Sequence, residues 1–252
     1  MNFADVKSMT IPVNGTGRDV KSISIGGVVV WAKPNPLPYT SKVEYLQFTG
    51  TQYIDTGLVP TFTTGTTRPI CEVGGRMELA AFNANGALAL FGSSLVTPRL
   101  AAIISNATTV RIGGGNGLRN TTIDPGISLN TPFTFRFRFP ATGNRTFWLD
   151  GVQYDGGSGQ PGPTGTPIYI IGSRRGPASS ETYGTYLPQG KLYSAYIKDG
   201  TSYMLVRDFI PVRVETVGAL YDQANPTGGP NGNGLYYNAG SGSFTLGPDV
   251  PA

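Results

Sequence analysis

Apolar and polar residues alternate with a period of two along most of the chain, as expected of strands whose successive side chains point to opposite sheet faces. The clearest run is Phe133, Phe135, Phe137 and Phe139, with Thr134, Arg136 and Arg138 between them. It predicts an antiparallel strand with rings in a core on one side and water on the other. Residues 145–149 and 152–154 flank Asp150-Gly151. That dipeptide predicts a two-residue hairpin, because a type I′ turn needs positive φ at both central positions. Lys198-Asp199-Gly200 predicts a second hairpin, between 192–197 and 203–210. Pro211 has no backbone donor and is expected to end that pairing.

Helices find little support. Few windows exceed ten residues without Gly or Pro, and the longest, 99–112, is rich in β-branched residues and reads as strand. Residues 76–85 are compatible with a helix or with a strand pair. Residues 1–36 have a different organisation from the rest. Strand patterns over 6–13 and 20–25 precede a Gly26-Gly27 turn and a second arm at 28–31, and a proline-spaced segment follows at 33–38. Such spacing favours an extended, stiff linker. The expected division is a small β appendage with its linker over 1–36 and an all-β body over 37–252. A two-stranded hairpin is marginal alone in water, so the appendage is expected to dock on its own body or on a neighbouring chain.

A chain of 252 residues can form one large sandwich with an adequate core. Charged residues make up 13% of it, against about 25% in average domains. Its surface is therefore polar but weakly charged. The 36 glycines and 20 prolines fall between apolar runs, which predicts many turns. A net charge of +4 comes from scattered Lys and Arg, so no nucleic-acid partner is expected. Cys71 is the only cysteine, which excludes an intrachain disulfide. The first residues lack a secretion-signal pattern, and no apolar run reaches the roughly 18 residues of a membrane span. Synthesis in a cytoplasm and no membrane insertion are the expectations.

The absence of histidine narrows the chemistry most. Ser-His-Asp and Cys-His arrangements and histidine-ligated zinc are unavailable. No metal, no cofactor and no catalytic residue are expected. Paired carboxylates could still make a glycosidase, and Glu72 and Glu78, flanking Gly74-Gly75, are the acids to weigh. Asp150, Asp199 and Asp222 read as turn formers, whose side chains bond nearby amides. Thirteen tyrosines and Trp148 lie among Gly, Asn and Ser, and rings with hydroxyls and amides suit sugars. Tyr183 and Tyr186, in a loop with Arg174 and Arg175 nearby, are the candidate ligand-binding residues.

Two segments carry a family likeness. VEYLQFTGTQYIDTG at 43–57 resembles the opening strand pair of many phage and gut-bacterial proteins with a concanavalin A-like or laminin-G-like sandwich. GKLYSAYI at 190–197, LVRDFIP at 205–211, GALYD at 218–222 and YNAGSGSF at 237–244 are similar to that family's closing pattern. The opening residues resemble leaders of phage structural proteins. The resemblance implies a concanavalin A-like (jelly-roll) antiparallel β-sandwich with an N-terminal β-hairpin appendage. It further implies a non-enzymatic bacteriophage virion-surface protein, tail-tip or fibre-associated or decorating, anchored to other virion structural proteins through the appendage. Host-surface glycans and a symmetric homo-oligomer are the partners implied. The alternatives are a capsid decoration protein that stabilises the shell and a carbohydrate-active enzyme on the same fold. The acidic loop pairs by which related sandwiches bind calcium, and the Glu-x-Asp-x-x-Glu strand of their glycosidases, are not found here. Residues 224–234 lengthen a segment that is short in the family.

Overall fold

The structure, a computed structural model, describes residues 10–13, 16–19, 22–25, 28–32, 37–59, 71–82, 88–94, 99–106, 109–115, 117–122, 126–140, 143–158, 166–172, 174–175, 182–183, 187–198 and 204–251. The chain divides into two compact units, Met1–Leu37 and Pro38–Ala252. In the first, Thr10–Val13 pairs antiparallel with Thr16–Asp19, and Ser22–Ile25 with Val28–Ala32. The expected Gly26-Gly27 turn lies outside the described residues.

The second unit is built mainly from two antiparallel sheets. The described strands of the smaller one run in the order Gly117–Thr122, Thr109–Gly115, Arg99–Asn106, Leu88–Ser94, Tyr169–Ile170, Ile54–Asp55. The larger runs Val152–Ser158, Asn144–Leu149, Phe133–Phe139, Cys71–Ala81, Gln189–Lys198, Leu205–Val214, Val217–Asp222, Leu235–Tyr237. Leu46–Thr49, Ser41–Lys42 and Thr245–Leu246 complete it. The segment at 76–85 that allowed helix or strand is strand as far as Ala81, and 99–112 holds two paired strands.

The predicted alternation is present side chain by side chain. Phe133, Phe135, Phe137 and Phe139 are buried, while Thr134, Arg136 and Arg138 are not. Phe91 of the smaller sheet meets Phe137 and Phe139 of the larger edge-on, with centroids 5.5 and 6.1 Å apart. The sheets therefore share one aromatic core. At the Asp150-Gly151 turn both φ angles are positive, 46° and 82°. The Asp150 carboxylate also accepts the Thr134 backbone N–H at 2.7 Å, tying the turn to the next strand. The second predicted hairpin pairs Ala195 with Phe209 and Lys198 with Leu205, and its Asp199-Gly200 turn lies outside the described residues.

Pro211 does not end the pairing. Its strand continues to Val214, with Pro211 opposite Leu220. The missing donor faces the side where the neighbour changes. On that side the last Gln189–Lys198 partner is Ala195, opposite Phe209, and Ser41–Lys42 takes over at Val212 and Arg213. Pro211 contributes only its carbonyl there, accepting the Val43 N–H at 3.1 Å. Proline is tolerated where no ladder bond is lost.

Strand polarity gives the larger sheet a second, outward face. At one end Val212, Ala219, Tyr221 and Leu235 form a separate apolar cluster there, with Tyr39 packed against it. The other end presents polar and aromatic side chains instead.

Candidate functional site

Register places the outward side chains of the larger sheet in rows. One row holds Tyr196, Gly74, Arg136, Trp148 and Gln153. The next holds Lys198, Glu72, Arg138, Thr146 and Asp155, and on the other side lie Ser194, Arg76 and Thr134. Residues far apart in the chain thus meet because adjacent strands run about 4.8 Å apart.

Two glycines shape this face. A Cβ on Gly74 would lie 2.5 Å from the Tyr196 ring, so the ring rests directly over the strand backbone. A Cβ on Gly75 would lie 2.2 Å from the Ser194 carbonyl oxygen. That carbonyl comes so close because of a bulge, in which Leu192 faces Met77 and Ser194 faces Arg76, leaving Tyr193 as the extra residue. Glycine within a strand commonly marks such a close approach. The result is a shallow cleft of about 580 Å³ over Gly75, lined by Arg76, Thr134, Arg136, Trp148, Ser194 and Tyr196. A second depression of about 290 Å³ shares Arg76 and Ser194 with it and extends to Tyr193, Lys42 and Glu44.

Both acids on this strand are enclosed by cations and phenols. Glu72 lies 3.3 Å from Lys198 and 3.3 Å from Arg138, and accepts the Tyr196 hydroxyl at 3.2 Å. Glu78 lies 2.9 Å from Lys191 and accepts the Tyr193 hydroxyl at 3.0 Å. Burial, then the charge of Glu72, pushes the Tyr196 phenol well up, so it stays a neutral donor. Burial followed by the Glu78 hydrogen bond does the same at Tyr193. The bond to Glu78, against some desolvation, holds Lys191 above its ordinary value and keeps it charged. Six residue steps along the strand separate the two acids by roughly 20 Å, at about 3.4 Å per step. A glycosidase pair needs roughly 5–9.5 Å, so these two do not form one.

Arg136 stacks on Trp148, 3.7 Å from the ring centroid, and Arg76 lies 4.6 Å from the Tyr193 centroid. Among the described residues no group of three or more His, Cys, Asp or Glu gathers to hold a metal ion. Asp222 is fully buried and accepts the backbone N–H groups of Asp208, Ala224 and Asn225, which is the turn-forming role read from sequence.

Of the candidate residues read from sequence, Arg174, Arg175 and Tyr183 do not line this cleft. Arg174–Arg175 pairs with Thr182–Tyr183 as a two-stranded ribbon, with Arg174 opposite Tyr183, so Tyr183 is on a short strand and not in a loop. Tyr186 lies outside the described residues. Trp148 was singled out by composition, but Tyr196, Arg76 and Arg136 were not. Their signals were the even-numbered positions opposite the phenylalanine stripe and the Gly74-Gly75 pair inside a strand.

No family model and no curated protein matches the chain. Among solved structures it is similar to a candidate carbohydrate-binding protein from Bacteroides ovatus, at 14% identity and a TM-score of 0.53. That match covers 94% of this chain and 68% of the other. It is also similar to mouse laminin α1 chain domains LG4-5, at 14% identity and a TM-score of 0.44, over 79% of this chain and 50% of that one. A third likeness is to the heptameric SAP-like pentraxin of Limulus polyphemus, at 9% identity and a TM-score of 0.41, over 79% and 96%. The fold is a concanavalin A-like antiparallel β-sandwich.

Proposed function

We propose that this chain is a non-enzymatic glycan-binding module on the surface of a tailed-bacteriophage virion, at the tail tip or on a fibre. The observation that carries the glycan reading is the cleft over Gly75, with Tyr196 and Trp148 in one row and Ser194 and Thr134 beside them. Aromatic faces take the apolar face of a sugar ring, and hydroxyls and guanidiniums take its oxygens. The description of the Bacteroides ovatus neighbour agrees with this reading. The wide separation of Glu72 and Glu78 and the absence of histidine support binding without cleavage. The virion part rests on the motif resemblance at 43–57 and 190–244 and on the division at Leu37.

A glycan array probed with the purified chain tests the binding role. Reproducible hits are expected, and Trp148→Ala should weaken them about tenfold, a loss of roughly 1.4 kcal/mol. Hits that W148A leaves unchanged would move the site away from this cleft, and released sugars would make the protein an enzyme. The anchor role has its own test. Deletion of residues 1–33 should leave a soluble body that is missing from purified particles, and particles that keep the truncated chain would refute anchoring. Electron microscopy of labelled particles should place the label at the tail, whereas label over the head would favour shell decoration.

A further inference from the structure

We infer that the glycan held in this cleft is acidic, with its anionic groups taken by Arg136 and Arg76; the inference rests on the glycan-binding reading above. The cations on Cys71–Ala81 and the two strands beside it fall into two sets. Arg138, Lys191 and Lys198 already face a carboxylate, at Glu72 or Glu78. Arg76 and Arg136 form no ion pair with any acid among the described residues.

These two arginines are also neighbours. Arg136 faces Gly74 on the adjacent strand, and Arg76 lies two residues further along that strand, a diagonal pair with Cβ atoms roughly 7 Å apart. Each guanidinium is backed by a ring, Trp148 or Tyr193, which fixes its plane and leaves its N–H edge to bond. A planar fork of this kind matches a carboxylate or an ester oxyanion bidentately. Both arginines line the same cleft, where the Ser194 hydroxyl faces the ligand and the Thr134 hydroxyl, which donates to Asp150 at 3.2 Å, can still accept from a sugar hydroxyl.

The test is an array of paired oligosaccharides: uronates beside their carboxyl-reduced forms, and sulfated or phosphorylated glycans beside their ester-free forms. Hits are expected among the charged members only, and they should weaken as salt is raised from 50 to 500 mM. The uronate and ester arms tell which anion is recognised, and a preference in either supports the inference. Arg76→Met and Arg136→Met should each weaken the best hit about tenfold, with melting unchanged, while Arg136→Lys keeps part of the affinity. Equal binding of charged and neutral partners, indifferent to salt, would overturn the acidic assignment and leave the glycan site standing. An array with no hits would overturn both. A single-stranded oligonucleotide that displaces the best hit at equal affinity would reduce the site to bare charge and refute sugar recognition.

Discussion

Replacement of Phe137 by alanine is expected to lower the unfolding free energy by about 3–5 kcal/mol. The ring is fully buried and sits where the two sheets meet, edge-on to Phe91 at 5.5 Å. Within its own sheet it stacks on Phe147 at 5.5 Å and 13°, and Phe147 stacks in turn on Tyr154 at 5.0 Å and 15°. That ladder follows the register, in which Phe137 faces Phe147 and Phe147 faces Tyr154. Truncation therefore removes contacts along the sheet and across it, and close neighbours in a packed sandwich cannot collapse fully into the void. A domain holds only about 5–15 kcal/mol in total, so the variant should be markedly easier to unfold in urea. A midpoint shift worth less than about 1 kcal/mol would mean that Phe137 does not join the two sheets as described.

Core and turns were legible because their causes are local. Alternation over seven residues defines which face of Phe133–Phe139 is buried, and Asp150-Gly151 carries the positive φ angles of its own turn. Glu215 shows where that reading stops. It has φ of 56° at the turn joining Val214 to Val217, with no Gly or Asn to announce it. Its backbone N–H is held by the Thr40 hydroxyl at 2.9 Å, a partner 175 residues away. Pro211 is a similar case, since tolerance of its missing donor depends on a change of neighbour that only the folded sheet has.

Site residues were harder to read for the same reason. Glu72 meets Arg138 across 66 residues and Tyr196 across 124, and no spacing rule links those positions. Composition drew attention to Tyr183, Tyr186, Arg174 and Arg175, where rings and cations are close in sequence. The cleft instead assembles rings and cations by register between strands. Alternation alone puts Arg136, Arg138 and Trp148 opposite the core rings. What it cannot supply is the order of strands, and hence that Tyr196 and Gly74 complete the row.

Two adjacent glycines should respond to alanine in opposite ways. At Gly75 the new methyl would meet backbone, 2.2 Å from the Ser194 carbonyl oxygen and 3.0 Å from the Ala195 Cα. Backbone in the middle of a sheet cannot step aside without parting Cys71–Ala81 from Gln189–Lys198, which are paired from Ala81 to Glu72. Gly75→Ala is expected to cost about 3 kcal/mol or more, through overpacking and lost ladder bonds. At Gly74 the methyl would meet the far end of the Tyr196 side chain at 2.5 Å, and a side chain can swing away. The Tyr196 hydroxyl would then leave Glu72, an exchange worth about 1–2 kcal/mol, while the sheet stays paired. Gly74→Ala should accordingly fold and melt only about 2–8 °C below the parent, yet lose glycan affinity because the ring has left its place on the cleft floor. Urea titrations and array binding of the two variants would separate the effects. If G74A proves the less stable of the pair, or binds as well as the parent, then Tyr196 resting on a bare backbone is not what shapes the cleft.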